Sequence, residues 1–275
     1  MPITHARDTV TADQMTPHVS LRAKVYSLWD DLADFDAARI DQAADFLMRA
    51  LCDLIGADNA MWVGLVRFTD DRSSDPAYGW RPLSMRLLHA NHRLVDAVRE
   101  QAQSLGKEVL NPAVAGVLSE AGSFHAFRLA DIAPAAWFDT DVYRSYYRDC
   151  GRDDAIYGVF PINCDTASCF CMFRSGRERS FTTGERDLAA YALRGLKWFH
   201  RQLLLSHGLL VASAQLTPVE RSVLHGLLAG QAEKAISAEL GKSQHTTHDN
   251  ITAIYRKFGV NNRAGLMALW LGQVK

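Results

Sequence analysis

Between Lys242 and Lys257 the chain spaces polar and cationic side chains as a helix lying on a nucleic-acid duplex would need them. Lys242 precedes Ser243, a good N-cap residue type, and Gln244 opens the helical pattern. Thr246 and Thr247 place hydroxyls in the first turn, where unpaired backbone N–H groups and the helix dipole favour an anion. His248, Asp249 and Thr252 follow, and Arg256 and Lys257 stand at the far end. Groups of these kinds can hold phosphate oxygens at both ends of a helix and reach base edges between them. Asp249 is the exception, because it repels phosphate, although a carboxylate can accept a hydrogen bond from cytosine N4.

A second set is aromatic. Trp62 and Trp80 fall in strand-like stretches, and Trp137, Tyr143 and Tyr147 in a later segment, with Tyr143 and Tyr147 four residues apart on one helix face. Such rings can line a small-molecule pocket between a sheet and its covering helices, with hydroxyl and indole donors as anchors; the competing reading is ordinary core. A third set is Cys164, Cys169 and Cys171. Cys169 and Cys171 share a strand face, but Cys-x-Cys on a strand lacks the spacing of a zinc knuckle. Packing as small apolar residues is the preferred reading, with a metal or redox sensor as the alternative. The ten histidines show no H-E-x-x-H, and the acid pairs Asp30-Asp31, Asp70-Asp71 and Asp153-Asp154 are sequence neighbours that do not face each other. No catalytic set, metal site or cofactor is expected, and no enzymatic activity.

The elements that would position these groups fall into two blocks. From Ala214 onward there are seven Lys/Arg against four Asp/Glu, while the preceding residues carry 23 against 27, so a mildly basic tail follows an acidic body. The tail begins with Thr217, Pro218 and Glu220, a capping box with proline at the first helical position. Val223, Leu224, Leu227 and Leu228 form its apolar stripe, and Gly230, Gly241 and Gly259 punctuate the helices that follow. Four short helices with a tight glycine-containing turn between the second and third describe a helix-turn-helix domain.

Before it, the first twenty residues are polar and expected to be loose, followed by a helical stretch ending at Gly56. Five antiparallel strand candidates then alternate with helices. "FTTGERDLAAYALRGLKWFHRQLLLSHGLL" reads as one long helix. The expected organisation is an α+β sensor at 20–205, with an antiparallel sheet flanked by helices, a linker at 206–213, and an all-α DNA-binding domain at 214–275. With no secretory h-region, no apolar run of ~18 residues and an odd number of cysteines, a cytoplasmic protein that does not engage a membrane is expected.

The stretch "LTPVERSVLHGLLAGQAEKAISAELGKSQHTTHDNITAIYRKFGVNNRAGL" resembles the C-terminal DNA-binding domain of LuxR-type transcriptional regulators. The likeness rests on Leu216-Thr217, Glu220-Arg221, Leu228-Ala229-Gly230, Lys234 to Ile236, Ser243, Thr246, the run Ile254 to Val260, and Arg263. The family usually carries Thr-Val-Lys-x-His where this chain has Thr246 to Asn250, so His248 stands at a lysine position that faces the major groove and Asn250 at a histidine position. The resemblance implies binding to double-stranded DNA as a homodimer, with fewer base-specific cations here. Candidate dimer surfaces are the last helix, with Leu266, Leu269 and Trp270, and the long helix from Gly184. A looser resemblance, from "YYRDCG" to "RERSFTTGERDLAAYAL", is to GAF/PAS-like sensor domains, and it implies a small-molecule effector. Receiver-domain and P-loop patterns are absent, and the tryptophan, tyrosine and Asp-Pro pattern of acyl-homoserine-lactone sensors is not evident. The alternative is a sensor that binds a partner protein.

Overall fold

The computed structural model describes residues 16–69, 75–105, 110–120, 122–176 and 180–272, with side chains from 21. Most of the polar start expected to be loose lies outside these residues. Helices α1 (Thr16–Ala33) and α2 (Ile40–Ile55) lead into strands β1 (Asn59–Arg67) and β2 (Trp80–Leu87). Then come α3 (His92–Ser104), α4 (Pro112–Ser119), β3 (His125–Arg128), α5 (Leu129–Ile132) and α6 (Asp141–Tyr146). Strands β4 (Asp154–Pro161) and β5 (Thr166–Arg174) are followed by α7 (Thr183–Arg194) and α8 (Lys197–Ser206). The tail forms α9 (Pro218–Leu228), α10 (Glu233–Glu239), α11 (Gln244–Phe258) and α12 (Arg263–Trp270).

The strands make one antiparallel sheet in the order β2-β1-β5-β4-β3. Strand parity gives it two apolar faces. Ala60, Trp62, Ile156, Phe170 and Met172 face a core shared with α1, α2, α7 and α8. Met61, Val63, Leu65, Tyr157, Val159, Cys169 and Cys171 face a second core shared with α3, α4 and α6. Because both faces are covered, the inner strands read as continuous apolar runs where a sheet with one solvated face would alternate.

Two expected helices are interrupted. The first helical stretch breaks after Ala33, where Asp36 caps a short 3-10 turn at Ala37–Arg39 by accepting from Arg39 N at 3.0 Å. The long helix expected from Gly184 is two helices, α7 and α8, parted at Gly195-Leu196. The cause is Trp29. Its indole Nε1 donates to Ala192 O at 2.9 Å, the carbonyl that Leu196 N would use in an unbroken helix, and Leu196 N turns instead to Leu193 O at 3.1 Å. The ring lies so close to Gly195 that a Cβ there would stand 2.5 Å from it.

The connection from α8 to α9 is packed against both blocks. Leu209 lies on Gly64 of β1, leaving no room for a side chain there. Gln215 Nε2 donates to Leu83 O at 2.5 Å, and Ser213 N to Lys257 O at 2.8 Å. Beside this connection, Asp41 of α2 joins the sheet domain to the tail. Its carboxylate meets Arg221 of α9 at 2.5 Å and Arg86 of β2 at 3.5 Å, and His207 Nε2 lies 3.9 Å away. Arg86 also holds Asp45 through two bonds of 2.6 Å.

Candidate ligand cavity and nucleic-acid interface

Between the second sheet face and helices α3 and α4 lies a cavity of about 100 Å³. It is smaller than the ~300–1,000 Å³ of a pocket for a drug-sized molecule, so a slender ligand suits it. Its walls are apolar over most of their extent: Met61, Val63 and Leu65 from β1, Pro82 and Met85 from β2, Val98 from α3, and Val114, Val117 and Leu118 on and around α4. One end is polar. Gln101, Tyr147, Arg152 and Tyr157 converge there, beside Cys171.

Arg152 is 3% exposed, and among the described residues no carboxylate pairs with it. Its guanidinium lies 4.4 Å from the Tyr147 ring centroid and 4.8 Å from that of Phe173, so cation–π contact supports the charge from both sides. Its Nη1 donates to Gln101 Oε1 at 3.3 Å and Tyr146 O at 3.5 Å, both long. Arg152 Nε, Gln101 Nε2 and Tyr157 Oη have no hydrogen-bond partner of ordinary geometry among the described residues. Burial pushes the Tyr157 hydroxyl well above its usual range, so it stays a neutral donor. Tyr147 is occupied, donating to Asn111 Oδ1 at 2.9 Å.

Of the five aromatic residues expected at a ligand site, Trp80 and Tyr147 line this cavity. Trp62 does not. It points to the opposite sheet face, where Nε1 donates to Ser168 Oγ at 2.8 Å and the ring lies 4.7 Å from that of His207. Ser168 Oγ continues to His200 Nδ1 at 2.8 Å, and His200 Nε2 to Leu193 O at 3.3 Å, a closed polar chain inside the first core. Burial pushes His200 down to about 4, which keeps it neutral. Trp137 and Tyr143 also lie off the cavity wall. They back Tyr147, with Trp137 centroids 5.1 Å from both tyrosines, and Tyr143 Oη donates to Asp153 O at 2.8 Å.

Sequence reasoning passed over Gln101 and Arg152. Gln101 carried a signal, since it sits on the same stripe of α3 as Leu94, Ala97, Val98 and Leu105. Arg152 carried none, because "RDCGRDD" has the composition of a surface turn. The three cysteines are not brought together. Cys169 and Cys171 are buried mid-strand with sulfurs 3.6 Å apart, while Cys164 is exposed at the hairpin end. Among the described residues no group of three His, Cys, Asp or Glu side chains could hold a metal ion.

In the tail, α9 to α12 enclose their own core of Val223, Leu224, Leu227, Ile236, Ile251, Ile254 and Phe258. The capping box forms as expected: Thr217 Oγ1 accepts from Glu220 N at 3.2 Å, and Glu220 Oε2 from Thr217 N at 2.7 Å. Ser243 caps α11, accepting from Thr246 N at 3.0 Å. One face of α11 is buried through Thr247, Ile251, Ile254 and Phe258. The flanking stripe, Gln244, His248, Thr252 and Arg256 at intervals of four, is exposed, as are Lys242, Ser243, Thr246 and Asp249.

Two residues expected at a DNA contact are placed elsewhere. Thr247 is 0% exposed, and its hydroxyl donates to Ser243 O at 3.1 Å within the helix. Lys257 Nζ is held by Glu220 Oε2 at 2.7 Å and Gln215 O at 2.9 Å, so its charge serves the tail's own core edge. On the exposed stripe His248 Nδ1 lies 3.4 Å from Glu233, and Asp249 lies 3.2 Å from His245 one turn back. Leu266, Leu269 and Trp270 of α12 are buried in the same core, which removes them as a dimer surface.

The family model for bacterial regulatory proteins of the luxR family matches residues 214–269. This segment is a LuxR-family helix-turn-helix domain. The match ends where α12 closes over the core of the LuxR-family domain. Solved structures similar to the chain include the VqsR LBD domain from Pseudomonas aeruginosa, 15% identical over 68% of this chain and 97% of that one, TM-score 0.44. SdiA in complex with octanoyl-rac-glycerol is 12% identical over 94% and 95%, TM-score 0.42. Escherichia coli SdiA in another structure is 14% identical over 92% and 99%, TM-score 0.39. No curated protein sequence matches. The GAF/PAS-like expectation for the part ahead of the LuxR-family domain does not hold as a specific one. It rested on paired strands and a capped helix, local features that many α+β sheets share; what stands is the five-stranded antiparallel sheet with helices on both faces.

Among the described residues no helix is long and apolar enough to cross a membrane.

Proposed function

We propose that the chain is a DNA-binding transcription regulator in which a small molecule bound between the sheet and α3–α4 controls the LuxR-family domain. The observation that carries the reading is the exposed stripe on α11, polar along its length and beside the face that holds the helix in its domain. Lys242 and Arg256 flank it as phosphate contacts, with Ser243 and Thr246 at the positive helix end. Gln244, His248, Asp249 and Thr252 lie between, facing base edges. The cavity supports the sensing half, since it is mostly apolar and polar at one end.

A single recognition helix covers one half-site, so specific binding calls for a dimer with two helices about 34 Å apart. Exposed Tyr26, Tyr191 and Trp198 on α1, α7 and α8 are the aromatic surface available for it. A ligand acts on such a dimer by binding one geometry more tightly than another. Fluorescence anisotropy of the full chain with a duplex library, titrated with salt, tests the reading. Log affinity is expected to fall linearly with log salt, with a slope of about −0.9 for each phosphate neutralised. Folded protein that retards no duplex at low ionic strength would overturn it.

A further inference from the structure

The polar end of the cavity holds more donors than well-placed acceptors, since the bonds from Arg152 to Gln101 Oε1 and Tyr146 O are long. Arg152 Nε, Gln101 Nε2 and Tyr157 Oη are each buried without a hydrogen-bond partner of ordinary geometry among the described residues, so what they offer one another is poorly aligned. Nη1 makes both of the long contacts of the guanidinium to Gln101 and Tyr146, and Nε has no partner of ordinary geometry among the described residues. A buried guanidinium keeps its proton, so its charge persists and calls for a counter-charge. Native proteins seldom leave even one such group unsatisfied, and three at one cavity wall point to something that completes them. Resting on the sensing role proposed above, we infer that the cavity takes a carboxylic acid as its anion, carboxylate against the Arg152 edge and Tyr157, with an apolar body running between Met61, Leu65, Val117 and Leu118.

The chemistry narrows the class in three ways. A planar carboxylate matches the two parallel N–H groups of a guanidinium edge, which a neutral alcohol or ester does not. Among the described residues lining the cavity Arg152 is the one cation, so a single negative charge balances it there and a dianionic phosphate would be left with an excess. The remaining walls are carbon and sulfur, which excludes a polyhydroxylated acid from the far end because its hydroxyls would lose water without replacement. Trp80 and Met85 lie at that end and offer aromatic and thioether surface to an alkyl or aryl body.

Isothermal titration of the full chain with sodium decanoate and indole-3-acetate, each against its primary amide and its alcohol, tests this. The acids are expected to bind at least about 30-fold tighter than the neutral analogues, which corresponds to about 2 kcal/mol. Arg152→Gln should abolish the preference. Because removing a buried arginine can unfold the domain, Tyr157→Phe serves as the second variant. It keeps the ring and is expected to weaken the acids about 5- to 10-fold while leaving the neutral analogues unchanged. Equal or tighter binding of the amides or alcohols would overturn the carboxylate assignment and leave a small-molecule sensor standing. Failure of every compound to bind would overturn the assignment and remove the support the cavity lends to sensing.

Discussion

At the scale of single residues, exposure separates side chains that composition treats alike. Arg256 and Lys257 are adjacent cations at the end of α11, but Arg256 faces solvent while Lys257 is tied to Glu220 and the Gln215 carbonyl. Under the proposed function, Arg256→Ala should weaken binding to all duplexes alike and reduce the salt slope by about one unit. Lys257→Ala should instead destabilise the domain by about 1–3 kcal/mol, because Glu220 loses its partner at 7% side-chain exposure, with DNA affinity changing little while the domain stays folded. Thermal melts paired with anisotropy separate the two, and a matching loss of salt slope in both variants would contradict the assignment. His248 and Asp249 each have an acid or imidazole neighbour of their own, which accounts for a recognition helix with little net positive charge.

At the scale of elements, long-range contacts decide where helices stop. The break between α7 and α8 is set by a ring from α1, far away in sequence. Gly195→Ala would push a methyl into the Trp29 ring and is expected to cost about 1–3 kcal/mol, read as a lower urea midpoint with an unchanged m-value. Trp29→Phe in that background should recover part of the loss by removing the bulk that clashes, although it gives up the bond to Ala192 O. A Gly195→Ala variant as stable as the parent would show that the break comes from the local sequence. By contrast, α9 and α11 begin where their caps place them, because each cap closes within three residues.

At the scale of the whole molecule, the sheet domain and the tail meet around neutral imidazoles. Burial, with a smaller push from Arg221, Arg86 and His225, drives His207 down to about 2; Ser84 Oγ lies 2.5 Å from its Nδ1. Among the described residues Asp41 is the acid that faces it, 3.9 Å from Nε2. Burial lowers His200 to about 4, and lowers His225 as well. An imidazole held neutral in the fold takes up a proton on unfolding. Stability is therefore complete above the ordinary histidine value of about 6.5 and falls as pH drops below it, until the folded values are reached. Each such histidine contributes about 1.4 kcal/mol per pH unit, so His200 and His207 together should remove about 3–4 kcal/mol between pH 7 and about 5. Urea unfolding across that window measures it, and His200→Gln should cut the slope by about half. A flat profile would mean that these imidazoles are accessible to protons in the folded state.

The amino-acid sequence alone determined the helix-turn-helix tail, its four helices and the caps at Thr217 and Ser243, and it marked four strands, with the stretch that forms β3 left open between strand and extended segment. These depend on residues a few positions apart, on glycine at turns and on the periodicity of apolar side chains. Only the tertiary structure decided which sheet face Trp62 takes, that Thr247 and Lys257 are used within the tail, that Trp29 divides a helix, and that Arg152 lies buried beside a cavity. The reason is physical. A strand offers each side chain one of two faces, and a charged turn residue can be solvated or enclosed. Which of these occurs depends on what the rest of the chain packs against it, through contacts between residues up to 180 positions apart.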